Sequence, residues 1–100
     1  MSVKKEDLIQ IGKHVLNTEA RAVKSLASRL DENFVKAVNL IFNQNSRVII
    51  TGMGKSGLIG RKIAATLASC GTPAIFIHPA EAGHGDLGMI LKEDVLIAIS

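Results

Sequence analysis

Two histidines and two carboxylic acids stand close together in the segment from His78 to Asp86, separated mainly by alanine and glycine. Imidazole titrates near neutrality and can move protons at working pH. His84, which lies between two glycines, is therefore a candidate acid–base group. His78 could instead cap a strand, Asp86 could cap a short helix, and Glu81 could be a solvated surface acid. These four side chains could also hold a metal ion, but their spacing matches no strong metal motif.

A glycine-rich turn, GMGKSG from Gly52 to Gly57, lies between a predicted strand and a predicted helix. It matches the dinucleotide fingerprint, but that fingerprint also needs an acidic residue about 20 positions later, where the second strand ends in His78. It also imitates a nucleotide P-loop, but Ile49 stands where the first glycine belongs. A general anion site fits better, because helix N–H groups, the Ser56 hydroxyl and the Lys55 charge suit a sugar phosphate. The alternative is a tight turn whose glycines serve geometry alone.

The distribution of charge favours a small anionic ligand. The net charge is +3, and no acidic residue occurs between Asn33 and Ala80. Only 3% of the residues are aromatic, and the three phenylalanines do not alternate regularly with the basic residues of that stretch. Nucleic acid is therefore less favoured than a small anion. The basic residues concerned are Lys36, Arg47, Lys55, Arg61 and Lys62.

Several features indicate a cytoplasmic protein without a membrane partner. The single cysteine, Cys70, cannot form an internal disulfide and fits a reducing compartment. The first residues have no apolar core of the kind found in signal peptides. The apolar runs are far shorter than the roughly 20 residues needed to span a bilayer.

The elements that must position these groups begin with helices. Apolar residues recur at helical spacing over residues 4–30, which predicts one helix about 39 Å long. A helix of that length overhangs a domain whose radius of gyration would be about 13 Å, so we expect it to pack against another subunit. A break near Asn17 and Thr18 is the alternative. The acidic pair Asp31 and Glu32 predicts the start of a second helix.

An α/β pattern follows over the second half of the chain. We predict strands at Val48–Ile50, Ala74–His78 and Val95–Ser100, with a helix at Ser56–Cys70 between the first two. This order predicts a parallel sheet with right-handed crossovers. The glycine-rich turn and the histidine segment then lie at the same edge of the sheet, outside the carboxyl ends of the strands. We place the domain boundary between residues 46 and 47, giving a helical segment over 1–46 and an α/β domain over 47–100.

Residues 48–100 resemble the sugar isomerase (SIS) domain family. Within it, the glycine-rich turn, the run Gly71-Thr72-Pro73 and the run from His78 to Gly88 are together similar to the arabinose-5-phosphate isomerases. The resemblance implies a Rossmann-like parallel-sheet sandwich preceded by two helices. It implies reversible conversion of D-ribulose 5-phosphate to D-arabinose 5-phosphate through an enediol, with no required cofactor, in a homotetramer. The product would feed synthesis of 3-deoxy-D-manno-octulosonic acid, a bacterial lipopolysaccharide sugar.

The resemblance also assigns roles to individual residues. Lys55 matches a catalytically relevant lysine, and His84 matches a histidine that contacts substrate and takes part in catalysis. His78 matches a position that can hold a divalent metal such as zinc, although catalysis in the family does not generally need one. The implied substrate-binding residues are Gly54, Ser56, Gly71, Thr72, His84 and Ser100.

The family continues beyond the matching residues. Ser100 matches the first residue of a second phosphate loop, Ser-x-Ser-Gly-Glu, and the family's general base matches no residue here. We therefore expect the N-terminal part of an isomerase, inactive as a piece alone. The alternative is a non-catalytic SIS module that binds a sugar phosphate and regulates, but residues 1–46 show no helix-turn-helix pattern. A nicotinamide-linked enzyme is disfavoured by the missing acid.

Overall fold

The structure is a computed structural model that describes residues 2–100. Its backbone forms two compact units, one ending at Val35 and the other running from Lys36 to Ser100. The boundary between residues 46 and 47, drawn from the sequence, stays a prediction.

The first unit is built on a long helix, α1, over Lys5–Ser25. The helix has no break at Asn17, and it tightens into a 3-10 helix over Leu26–Arg29 before the predicted end at residue 30. None of the residues of α1 is buried, so its apolar stripe is exposed. Neither α1 nor any other helix within residues 2–100 combines the length and apolar character required to cross a bilayer.

The second helix, α2, covers Glu32–Phe42 and begins as the acidic residues predict. The Asp31 carboxylate accepts a hydrogen bond of 2.9 Å from the Asn33 N–H group, which would otherwise lack a partner at the start of a helix. The polar residues after Asn43 then end the helix, as expected.

The second unit contains a three-stranded parallel sheet in the order β2-β1-β3. The strands are β1 at Val48–Gly52, β2 at Ala74–Phe76 and β3 at Val95–Ile99. Val48 pairs with Ala74 on one side and with Val95 on the other. The predicted α/β fold with parallel strands is therefore confirmed. β2 ends two residues before the predicted His78, because the chain turns there into a short helix that begins with proline.

The helix α3, over Gly54–Ser69, packs on one face of the sheet. Val48 and Ile50 are fully buried there and contact Ala64 of the helix. A Cβ atom at Gly60 would lie 3.1 Å from the Ile50 Cγ2 atom, so the helix approaches the strand closely. Burying each such aliphatic side chain contributes about 1.5–3 kcal/mol to the free energy of unfolding. The segment from β2 to β3 contains a short helix, α4, at Pro79–Ala82 and a 3-10 helix at Asp86–Met89.

An ion pair fastens the amino edge of the sheet, where β1 and β3 begin. The Asp94 carboxylate, 1% exposed, lies 3.3 Å from the Arg47 Nε atom and accepts a 2.6 Å hydrogen bond from the Ser46 hydroxyl. It also accepts one of 2.7 Å from the Leu91 N–H group. Burial raises the pKa of Asp94, but these three partners together lower it below its ordinary value.

Candidate active site at the carboxyl edge of the sheet

The topology places a cavity where the chain direction changes. The first crossover leads from β1 to β2 and the second leads back past β1 to β3. Right-handed crossovers in opposite directions lie on opposite faces of the sheet, which opens a crevice outside the carboxyl ends of β1 and β3. A cavity of about 350 Å³ lies there. Its lining residues are Thr51, Gly52, Met53, Ser56, Pro79, Ala98, Ile99 and Ser100.

The glycine-rich turn forms one wall of this cavity, and its glycines serve two purposes. Gly57 allows close packing, because a Cβ atom there would lie only 2.6 Å from the Gly52 carbonyl oxygen. Gly54 has a φ of +59°, in the left-handed region that favours glycine, with open space in front of it. The need for a tight turn therefore explains Gly57. Gly54 has no side chain in front of the start of α3 and so leaves it accessible to a ligand.

The start of α3 has the features of an anion site. The helix begins at Gly54, and Gly57 N–H donates to the Met53 carbonyl, so the N–H groups before Gly57 precede the helical hydrogen bonds. Ser56 is half-buried and lines the cavity. Lys55 is exposed and lies in the same helical turn, but it is not among the lining residues.

The histidine segment follows β2 at the same edge, and its fold fixes the state of both imidazole rings. His78 caps α4 rather than a strand: its Nδ1 atom accepts a 3.1 Å hydrogen bond from the Ala80 N–H group. His84 Nδ1 lies 2.7 Å from the Ala80 carbonyl oxygen. A carbonyl can only accept, so His84 Nδ1 carries the proton.

The two rings therefore differ in what they offer to a ligand. In its neutral form His78 has the proton on Nε2, whereas His84 has a free lone pair on Nε2. His84 is exposed and can accept a proton at that atom. Glu81 is an exposed residue of α4, and Asp86 is the first residue of the following 3-10 helix, whose N-cap position is held by Gly85.

The metal-binding role of His78 stays a prediction, and the chain offers it little support. Among residues 2–100, no group of three His, Cys, Asp or Glu side chains is arranged to hold one. Binding a metal through Nε2 of His78 would also require the ring proton to move to Nδ1. Nδ1 could then no longer accept the hydrogen bond from the Ala80 N–H group, because both atoms would be donors.

Two predicted substrate-binding residues, Gly71 and Thr72, lie at the other edge of the sheet. They follow α3 and precede β2, where the Val48 N–H group donates to the Pro73 carbonyl at 2.8 Å. The structure thus brings Ser56 and Ser100 into one cavity, places Lys55 and His84 at the same edge, and separates Gly71 and Thr72 from them. The roles of all these residues stay predictions.

The sequence interpretation did not single out Thr51, Pro79 or Met53 as site residues. The signal that could have found Thr51 is its position next to the glycine-rich turn, at the end of a buried strand.

A larger cavity of about 610 Å³ lies near the amino edge, between α2 and the start of β3. It contains none of the predicted site residues, so the smaller cavity is the candidate site.

The chain resembles known proteins over most of its length. The SIS domain family model matches residues 40–100. The protein named arabinose 5-phosphate isomerase KdsD of Pseudomonas aeruginosa is 53% identical over 94 residues, which cover 94% of this chain and 29% of that protein. The protein of the same name in Francisella tularensis is 64% identical over 85 residues, covering 82% of this chain and 26% of that protein.

A solved structure shows the same fold. The c3406 protein of Escherichia coli CFT073, determined in complex with arabinose 5-phosphate, superposes with a TM-score of 0.91 at 43% identity. The superposition covers 98% of this chain and 52% of that one. The chain therefore spans under a third of the length of these curated relatives and about half of the solved chain.

Proposed function

This chain belongs to the SIS domain family, and on that premise we propose that the protein interconverts D-ribulose 5-phosphate and D-arabinose 5-phosphate. The observation that carries the proposal is the 53–64% identity to proteins named arabinose 5-phosphate isomerase. The cavity at the carboxyl edge supports it, because the start of α3 with the Ser56 hydroxyl and the exposed imidazole of His84 lie at the same edge of the sheet.

In the proposed reaction, an open-chain sugar phosphate binds with its phosphate at the start of α3. The N–H groups of the helix and the Ser56 hydroxyl donate hydrogen bonds to the phosphate oxygens, and the Lys55 ammonium adds positive charge. These groups anchor one end of the substrate, so that its carbonyl end has a fixed position relative to the histidine segment.

Isomerisation moves a proton from C1 of the ketose to C2 of the aldose through a 1,2-enediol. The accompanying proton transfer between the two oxygens, and ring opening of the aldose, require an acid–base group near neutrality. We assign this role to the Nε2 atom of His84, whose lone pair is free because Nδ1 is bonded to Ala80. The alternative role of Lys55 is to stabilise the enediolate, rather than the phosphate, by its positive charge. None of residues 2–100 is assigned as the base that takes the proton from C1.

The wider setting belongs to the same proposal. Isomerisation by acid–base groups consumes no cofactor, and arabinose 5-phosphate would serve synthesis of 3-deoxy-D-manno-octulosonate in the cytoplasm. We propose a homotetramer as the working form. The exposed apolar stripe of α1 supports association, since a helix without buried residues gains stability by covering that stripe.

The proposal is tested by incubating the purified full-length gene product, since residues 1–100 alone are expected to be inactive, with D-ribulose 5-phosphate and following arabinose 5-phosphate by NMR. We expect turnover, and we expect His84→Ala to lower kcat by about 10²-fold or more. His14→Ala is the matched control, because His14 is an exposed histidine of α1, and it should retain full activity. Binding of pentose phosphates without turnover would instead favour a regulatory sugar-phosphate module. Full turnover by His84→Ala would remove His84 from the mechanism.

A further inference from the structure

Thr51 connects the end of β1 to the start of the histidine segment. Its hydroxyl donates a hydrogen bond of 2.5 Å to the Ile77 carbonyl oxygen. Among residues 2–100, no other side-chain hydrogen bond joins β1 to residues 77–85. Thr51 is half-buried and also lines the cavity at the carboxyl edge. One side chain therefore contacts both the candidate site and the segment that carries the imidazoles.

The way β2 ends explains why this hydrogen bond matters. The backbone ladder closes with the Ile77 N–H group donating to the Ile50 carbonyl at 2.9 Å. Ile77 is only 5% exposed, and the chain then turns at His78 into α4, whose first residue, Pro79, has no N–H group. The Ile77 carbonyl is thus left where the ladder stops, and a buried carbonyl requires a donor. The Thr51 hydroxyl supplies it.

From Ile77 the chain continues into His78, and hydrogen bonds within residues 78–84 then lead to the proposed acid–base group. The His78 carbonyl accepts from the Ala82 N–H group at 3.0 Å, and His78 Nδ1 accepts from the Ala80 N–H group at 3.1 Å. The Ala80 carbonyl then accepts from His84 Nδ1 at 2.7 Å. The position of His78, where α4 begins, therefore determines the positions of Ala80 and His84. Thr51 fixes that starting point by its hydrogen bond to the preceding residue, Ile77.

We propose that Thr51 is a positioning residue that holds α4, and through it His84, in a fixed position relative to the anion-binding turn. The inference rests on the proposed function, because this relative position matters only if both parts act on one substrate. Thr51 itself transfers no proton, since its hydroxyl hydrogen is committed to Ile77.

Three variants test the role of the hydroxyl. Thr51→Val keeps the shape of the side chain and removes the hydroxyl; we expect kcat to fall about 10- to 100-fold, since small misplacements cost up to 10²-fold. Because phosphate binding is left intact, KM should change by less than about threefold. Thr51→Ser retains the hydroxyl and should keep kcat near that of the wild type. The control is Ser69→Ala, which removes a hydroxyl bonded at 2.9 Å to the Ala65 carbonyl on the exposed side of α3. It should leave both constants unchanged.

A second pair keeps the test decisive if Thr51→Val does not fold. Thr51→Ser and Thr51→Ala both lack the γ-methyl group and differ only in the hydroxyl. We expect the same contrast in kcat between them, with rescue by serine. Equal kcat values for these two variants would overturn the positioning role.

A spectroscopic measurement separates this inference from the proposed function. The ring ¹⁵N resonances of His84, recorded without substrate, report which nitrogen carries the proton. We expect a single Nδ1–H tautomer in the wild type and in Thr51→Ser. In Thr51→Val the four-residue α4 loses its attachment to β1 and frays, which breaks the His84–Ala80 hydrogen bond and gives a mixture of tautomers. If the wild type shows no turnover, the proposed function fails. The comparison of His84 tautomers between the wild type and Thr51→Val then decides the positioning role of Thr51 without any activity measurement. The mixture then supports the positioning role, and an unchanged tautomer overturns it.

Discussion

Replacing Gly57 by alanine should destabilise the second unit, although alanine is the better helix former. Gly57 lies in the first turn of α3, where a Cβ atom would stand 2.6 Å from the Gly52 carbonyl oxygen and 3.5 Å from the Phe76 Cζ atom. The nearer partner is backbone of the central strand, where Gly52 is paired with Ile99 of β3 and has little freedom to move. The helix must therefore move away from the sheet.

The magnitude follows from two opposing contributions. Alanine gains about 1 kcal/mol over glycine inside a helix. Overpacking costs about 1–3 kcal/mol, and here it also loosens the close contacts of Gly60 and Ala64 with the sheet. Because the clash is with backbone, we expect the upper part of this range, about 2–3 kcal/mol, and hence a net loss of about 1–2 kcal/mol in the free energy of unfolding. Gly12→Ala is the matched control: Gly12 lies in α1 with nothing within 4 Å of its added Cβ, so this variant should gain up to about 1 kcal/mol.

The measurement is urea denaturation followed by far-ultraviolet circular dichroism, because the sequence has no Trp or Tyr for fluorescence. All variants are compared at one protein concentration, since association would add to the apparent stability. A Gly57→Ala protein as stable as the wild type, beside a stabilised Gly12→Ala protein, would refute the argument that α3 is held close to β1 by this glycine.

Two further predictions concern the amino edge of the sheet. The pKa of Asp94 is lowered in the folded state. Its carboxylate therefore stabilises the folded protein fully at pH values above the pKa of an unfolded aspartate, which is about 4. This stabilisation is lost as the pH falls through the lower pKa of the folded state. Asp94→Asn should therefore reduce stability at neutral pH and flatten its decline in acid; thermal denaturation over a pH series checks this, and an unchanged pH profile would contradict it. Thr72 lies at the edge opposite the cavity, so its predicted substrate contact would be made to a site on another copy of the chain. Thr72→Ala should therefore lower the affinity for arabinose 5-phosphate; calorimetric titration measures this, and an unchanged affinity would remove Thr72 from the substrate-binding residues.

Local patterns predicted the elements well, because short-range signals set them. The run Val48-Ile49-Ile50 and the glycines after it predicted a buried strand and a turn into a helix, and both are present. The placement of the histidine segment beside the turn followed from the parallel order of the strands. The same reasoning would have placed Gly71 and Thr72 at the opposite edge, since they precede β2 rather than follow it.

Other features depend on contacts between residues far apart in sequence. The hydrogen bond from Thr51 to Ile77 spans 26 residues and the Arg47–Asp94 pair spans 47, so no local pattern indicates either. The tautomers of His78 and His84 depend on the backbone of α4, whose Ala80 supplies both a donor and an acceptor. Sequence shows which groups can move protons, but only the folded backbone decides which nitrogen carries one.

The central position of β1 has a consequence for synthesis on the ribosome. β1 is the first strand to be made, yet its partner β3 begins only at Val95. At about 5–20 residues per second, β3 emerges roughly 2–10 s after β1. During that interval one edge of the most buried strand in the sheet has no partner and can pair with other nascent chains. The strand order thus makes the newly made chain most prone to aggregation before β3 has emerged, and most dependent on chaperones at that stage.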